Sequence, residues 1–138
     1  MTDLVLDPSA LDAMYENLLR PYLQIKLDSI QTLAESSCPR GKPPAFGREP
    51  EFPTKLYESH TNRIDGTGVT LIGYVTAGTP YAFFVHEGTN PHPIEANSAK
   101  ALMFEGGNGE MVFRKHVDHP GTPAQPWLKD AMVTVISQ

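Results

Sequence analysis

Apolar residues in the first third of the chain recur at the spacing of a helix. A first stripe, separated by alternating steps of four and three, consists of Leu11, Tyr15, Leu18, Tyr22 and Ile25. Such spacing places side chains on one face of a helix. Asp7 is a suitable N-cap, and Pro8 fits the first helical position because its missing N–H needs no partner there. The pattern predicts an N-terminal helix over residues 7–36.

A second apolar stripe runs beside the first on this helix. It consists of Met14, Leu19, Leu23, Leu27, Ile30 and Leu33. The two stripes together are wider than a helix lying on a single sheet requires, so a second contact is expected, either with another subunit or deep in the protein's own core. Leu19 and Leu23 are the candidate subunit contacts. Pro21 removes one helical hydrogen bond, which predicts a kink or short break near residues 18–20.

Residues 38–53 contain five prolines and two glycines, and they predict an irregular loop. Loops of this length within a domain commonly bind a partner or are disordered. Arg40, Lys42 and Arg48 give the segment local positive charge in an otherwise acidic chain. They are the candidate residues for docking an acidic partner or a nucleic-acid backbone, and a solvated flexible linker is the alternative.

Residues 54–118 carry the patterns of antiparallel strands. A Gly-containing turn divides residues 56–76 into two β-branched and aromatic runs, and a second turn divides residues 101–114 in the same way. Each pair predicts a β-hairpin. The short apolar run 81–86 fits either a buried strand or a turn of helix, since periodicity does not distinguish them.

The last segment, residues 119–138, combines a Pro/Gly corner with a second helix. Pro126 can open this helix, which carries a shared apolar face of Trp127, Leu128, Ala131, Met132 and Val135. The predicted fold is α+β: a single domain over 1–138 in which a long N-terminal helix and a C-terminal helix pack on a small antiparallel β-sheet.

The amino-acid composition excludes several classes of protein function. The 138 residues carry a formal charge of -5 and a single cysteine. An acidic balance argues against binding a polyanion, and no internal disulfide can form. The chain has neither a membrane-length apolar run nor a secretory signal pattern, so synthesis and use in the cytosol are expected. Cys38 has no activating residue nearby in sequence and is expected to be unreactive.

Histidines are the residues most suggestive of catalysis. His86, His116 and His119 could supply nitrogen ligands to zinc, and a metal-dependent hydrolase is therefore the enzymatic alternative. Their spacing is not diagnostic, because no His-Glu-x-x-His pattern is present. We therefore expect a non-enzymatic protein without a cofactor.

Two segments stand out by their turn chemistry. The first contains Tyr81, Glu87, Gly88 and Thr89, and the second contains His119, Pro120, Gly121, Pro126 and Trp127. Gly88 and Gly121 suit sharp turns that need a positive φ. These residues can hold the fold or take part in an interface. The order Tyr-Ala-x-x-Val-x-Glu-Gly-Thr, hairpin, His-Pro-Gly-Thr-x-Ala-x-Pro-aromatic-Leu resembles the neck or tail-completion (minor tail) proteins of long-tailed bacteriophages.

The resemblance implies a structural role. Such a protein would form a homo-oligomeric ring at the head–tail junction of the virion after synthesis in the host cytoplasm. Its partners would be head-connector, adaptor or stopper proteins on one side and tail-terminator or tail-tube proteins on the other. Double-stranded DNA would pass through the ring without sequence-specific binding, and no membrane would be involved. A tail terminator or a connector stopper is the neighbouring alternative.

Overall fold

The structure, a computed structural model, describes residues 5, 7–41 and 55–138. The described residues form helices and short strands in the following order: α1 (Pro8–Ser37), a 3-10 helix (Leu56–Glu58), β1 (His60–Asp65), β2 (Ile72–Ala77), α2 (Ala82–Glu87), β3 (His92–Glu95), β4 (Leu102–Glu105), β5 (Met111–Arg114), β6 (His116–His119) and α3 (Trp127–Ile136). The predicted α+β class, with a long first helix and a closing helix, is confirmed. The run 81–86 is mostly helical.

The strands pair as separate antiparallel ladders, β1 with β2, β3 with β6 and β4 with β5. The sequence predicts one sheet over residues 54–118, and both predicted hairpins are present as β1–β2 and β4–β5.

The chain comprises two compact units. The first unit comprises the described residues up to Ala82 together with Pro126–Gln138, and the second comprises Phe83–Gln125. Every buried apolar side chain of the described residues belongs to the first unit. The second unit therefore contains two strand ladders and most of α2 but no buried apolar side chain.

Helix α1 begins as its sequence predicts. The Asp7 carboxylate accepts a hydrogen bond from the Ser9 N–H at 3.0 Å, and Pro8 is the first helical residue. The break predicted near residues 18–20 is absent, since the helix runs unbroken through Pro21 to Ser37. Asn17 and Pro21 are both exposed. Water can therefore satisfy the Asn17 carbonyl that the proline leaves without a donor.

The core of the first unit lies between one face of α1, the β1–β2 hairpin and α3. Leu27 and Ile30 of α1 are buried there, as is Trp127 of α3. Helix α3 packs beside the C-terminal half of α1, where the Lys26 ammonium donates to the Val135 carbonyl at 3.2 Å.

A row of polar side chains fixes the hairpin on α1. Asn62 of β1 donates to Asp28 at 3.0 Å and to Gln31 at 2.7 Å, and its carbonyl oxygen accepts from Gln24 at 2.9 Å. These three helical residues are four and three apart, so they lie on one side of α1. Because such bonds are directional, they set the register of β1 along the helix.

A buried histidine–tryptophan pair joins the hairpin to α3. Trp127 Nε1–H donates to His60 Nε2 at 3.0 Å, and both side chains are buried.

Trp127→Phe should lower the free energy of unfolding by about 1–3 kcal/mol, because it leaves a buried acceptor without its donor. Urea denaturation measures this change. The double variant Trp127→Phe/His60→Leu should recover part of the loss, and strict additivity of the two changes would contradict the coupling.

Candidate functional site

The two segments singled out by their turn chemistry meet in the second unit. Thr89 and Thr122 form an antiparallel bridge in which each backbone N–H donates to the other's carbonyl, at 2.9 and 3.0 Å. Nearby, the Gln125 N–H donates to the Val85 carbonyl at 3.1 Å. Segments more than 30 residues apart in the chain therefore form one structure, which we call the double turn (residues 85–90 and 119–125).

Gly88 and Gly121 occupy the closest points of the double turn. Their φ angles are 77° and 84°, which confirms the predicted positive φ at both positions. A Cβ on Gly88 would lie 2.5 Å from the Thr122 carbonyl oxygen, and one on Gly121 would lie 2.3 Å from the Thr89 carbonyl oxygen. Each turn thus requires a glycine because the backbone of the other turn fills the space.

The other residues of these segments are held locally. Glu87 is exposed and contacts His86 at 2.6 Å between Oε1 and Nδ1. His119 Nδ1 accepts a hydrogen bond from the Gly121 N–H at 3.1 Å, which braces the corner after the exposed Pro120. Tyr81 is half-buried, and Pro126 forms the N-cap position of α3. Their neighbours agree with a role in holding the fold, while an interface role for them stays a prediction.

The three candidate zinc ligands have separate surroundings. His116 lies 3.0 Å from Asp118 and 3.7 Å from Glu95, whereas His86 contacts Glu87. His119 pairs across the β3–β6 ladder with His92, with ring centroids 5.0 Å apart. Within the part of the chain that the structure describes, no group of three or more His, Cys, Asp or Glu side chains is arranged to hold a metal ion.

Of the three candidate docking residues, only Arg40 is among the described residues. The Arg40 guanidinium lies 4.5 Å from the centroid of the Tyr57 ring, so residues on either side of the segment 42–54 contact each other. Lys42 and Arg48 lie outside the described residues, and their predicted role stays a prediction.

Cys38 is buried at the end of α1, and burial raises the pKa of its thiol, with a smaller opposing effect from Arg40. A raised pKa leaves little of the nucleophilic thiolate near neutral pH.

We therefore expect the folded protein to react slowly with a thiol reagent at Cys38 and the urea-unfolded protein to react quickly. Equal rates in the two states would show that the thiol is accessible.

Helix α1 presents an apolar face to solvent. Tyr15, Leu18, Tyr22 and Ile25 of the first stripe are 40, 64, 61 and 65% exposed. The second stripe divides, because Leu27 and Ile30 are in the core while Met14 and Leu19 are exposed. Of the predicted subunit contacts, Leu19 is thus accessible and Leu23 is half-buried. The first stripe is the more exposed of the two.

The buried and exposed apolar faces of α1 lie on opposite sides. Successive residues are offset by about 100° around a helix, so Leu18 and Leu27 point in opposite directions. The exposed apolar face ends near Ile25, and the same side of the helix then carries Ser29, Thr32 and Ser36. We call the exposed residues Met14, Tyr15, Leu18, Leu19, Tyr22 and Ile25 the outer stripe.

The outer stripe is large enough to form an interface. If each large side chain presents about 150–250 Å² when fully accessible, its exposed fractions amount to roughly 600 Å². This area reaches the upper end of the roughly 300–600 Å² typical of the largest apolar patch on a monomer. It approaches the roughly 800 Å² that each partner contributes to a standard protein–protein interface.

A second exposed apolar feature lies in the second unit. Phe83 and Phe84 of α2 are 67 and 56% exposed, and their rings contact edge-to-face with centroids 5.8 Å apart. They line a shallow groove of about 560 Å³ together with Gly88, Thr89, Asn90 and His92. We call this the Phe83–Phe84 groove. The double turn forms part of its wall, so Gly88 and Thr89 shape it directly.

Comparison with family models, with curated proteins and with solved structures finds no match to this chain. Among the described residues, no helix combines the length and the apolar character required to span a membrane, although α1 has 30 residues.

Sequence reasoning did not identify the Phe83–Phe84 groove or the β3–β6 ladder. An apolar run such as residues 81–86 normally predicts burial, and exposure of both phenylalanines depends on how the chain folds around α2. The ladder brings together residues 92–95 and 116–119, whose sequences lack the β-branched alternation of ordinary strands. The sequence did contain a signal for the outer stripe, because the two apolar stripes of α1 together are wider than a single packing face requires.

Proposed function

We propose that the protein is a structural subunit of a phage neck, a tail-completion protein that forms a ring at the head–tail junction. In this role it joins the portal-proximal connector to the tail tube. No catalysis is required of it, because its work is to present surfaces to neighbouring copies and to the proteins above and below the ring.

The outer stripe is the observation that carries the proposal. A helix that buries one apolar face in its own core and exposes another on the opposite side has a surface that water solvates poorly. The second unit adds four exposed phenylalanines: Phe83, Phe84, Phe104 and Phe113. A subunit whose apolar surfaces are covered by neighbours accounts for both features.

Ring geometry and charge fit this role. A ring arises when one face of each subunit binds a different face of the next and the rotation closes. The net charge of -5 suits a wall around passing DNA, because acidic surfaces do not retain phosphates. The Gly88–Gly121 double turn supplies rigidity to the surface that neighbouring subunits would contact.

The proposal is tested in a phage from which the chain has been deleted. We expect filled heads beside detached tails of normal length in electron micrographs, and rescue of joining by the chain supplied from a plasmid. Tails of uncontrolled length would instead indicate the tail-terminator alternative, because a polymer without its cap continues to grow. Normal virions from the deletion phage would refute a neck role.

A further inference from the structure

We propose that the outer stripe of one copy docks into the Phe83–Phe84 groove of the next copy. The contact is heterologous, with a helix face on one side and a groove on the other. This contact rests on the proposed function only for the closure of successive contacts into a ring.

The two surfaces match as a helix and its groove. Helix-in-groove recognition uses apolar anchors at positions i, i+3, i+4 and i+7 of one helical face. Tyr15, Leu18, Tyr22 and Ile25 provide anchors at steps of three, four and three on an exposed convex face. The groove offers the complementary concave surface of about 560 Å³, with two aromatic rings along it.

The polar groups of the two surfaces are also compatible. Tyr15 and Tyr22 combine an apolar ring with a hydroxyl that needs a partner when buried. The groove lining includes the polar residues Asn90 and His92. The Asn90 backbone carbonyl oxygen and His92 Nδ1 already contact each other at 2.8 Å, so a tyrosine hydroxyl would bond to the other polar atoms of these two residues. No Lys, Arg, Asp or Glu side chain belongs to the outer stripe or to the groove lining. The Lys26 ammonium lies beside the stripe, 5.8 Å from the centroid of the Tyr22 ring, and must keep its contact with water at the rim of the interface.

A second copy is a better occupant than an unrelated protein because each copy carries both surfaces. The second unit has no buried apolar side chain of its own, and α1 of a neighbour would cover Phe83 and Phe84. Pairing of two outer stripes about a twofold axis would cover α1 but leave the groove open. The heterologous contact covers both surfaces at once, and it propagates from copy to copy as a ring requires.

Cross-linking between two single-cysteine additions tests the contact. Leu18→Cys places a thiol on the outer stripe and Phe84→Cys places one in the groove, while the buried native Cys38 remains in all chains. The two purified variants, one carrying a mass tag, are mixed at high concentration and treated with a short bismaleimide. We expect a cross-linked dimer that contains one copy of each variant, confirmed by peptide mass spectrometry as residue 18 joined to residue 84.

Three controls sharpen this result. The unmodified chain should give no cross-link. Ser29→Cys, on the same side of α1 but beyond the outer stripe, should not join to Phe84→Cys. Tyr22→Asp introduced into the Leu18→Cys chain should abolish the mixed product, because it buries a charge in the contact.

The opposite results overturn the contact. Leu18→Cys chains that cross-link only with each other would establish stripe-to-stripe pairing, and absence of any product in concentrated protein would exclude the docking. The deletion phage tests the neck role independently of the cross-linking experiment. If residue 18 joins residue 84 while the deletion phage still assembles, the contact stands and the proposed function falls; detached tails without this cross-link give the reverse.

Discussion

Gly121→Ala should disrupt the double turn and reduce its free energy of unfolding by about 2–5 kcal/mol, the sum of two costs. A left-handed backbone conformation costs an alanine about 1–2 kcal/mol, and forcing an atom into a filled space typically costs about 1–3 kcal/mol. The new Cβ would lie 2.3 Å from the Thr89 carbonyl oxygen, which is backbone and cannot swing aside. Hydrogen exchange at the Thr89 and Thr122 amides measures the effect locally, and we expect both to lose protection.

Gly107→Ala is the matched control for this change. Gly107 has no atom within 4 Å of its would-be Cβ and does not have a positive φ. We therefore expect its urea midpoint and amide protection to equal those of the unchanged chain. If Gly121→Ala behaves like Gly107→Ala, the two turns do not interlock as described.

Leu18→Asp should abolish self-association and head–tail joining while the protein stays folded. Leu18 is 64% exposed at the centre of the outer stripe, so the monomer tolerates a charge there. In an interface the same carboxylate would lose its hydration among apolar side chains, at a cost of several kcal/mol. Sedimentation velocity measures association, complementation of the deletion phage measures joining, and circular dichroism with urea denaturation measures folding.

Two further substitutions on α1 separate assembly from stability. Ser29→Asp, on the same side of the helix, should leave assembly intact, and its stability should match that of Leu18→Asp within about 0.5 kcal/mol. Leu27→Asp should unfold the first unit, because Leu27 is buried against Gly73 of the hairpin. If Leu18→Asp is as damaging to folding as Leu27→Asp, the outer stripe is part of the core and the assembly argument fails.

The candidate subunit contacts Leu19 and Leu23 should differ in how substitution by aspartate affects stability. Leu19 is 43% exposed, so Leu19→Asp should impair assembly with little loss of stability. Leu23 is half-buried on the side of α1 that carries Leu27. Leu23→Asp should therefore lower the free energy of unfolding as well, which would make its assembly defect hard to interpret. The substitution at Leu18 is the cleaner experiment.

Local signals in the sequence predicted the elements whose cause is local. Asp7 and Pro8 set the start of α1 through backbone capping, and the glycine-containing turns set both hairpins. Gly88 and Gly121 were identified correctly as positions of positive φ. Of the kink or short break expected near residues 18–20, the break is absent, because the cost of a proline in a helix depends on whether the freed carbonyl reaches water, and Asn17 is exposed. The kink stays a prediction.

By itself, the sequence determined the α+β class, the start of α1, the hairpins and the presence of more apolar surface on α1 than one core can cover. Only the tertiary structure decided which stripe is buried, that Gly88 and Gly121 face each other's backbone, and that Phe83 and Phe84 stay in solvent. Periodicity defines the faces of a helix relative to one another, but it contains no information about which face meets the rest of the chain. That choice depends on contacts between residues distant in sequence, such as Asn62 with Gln31 and Thr89 with Thr122.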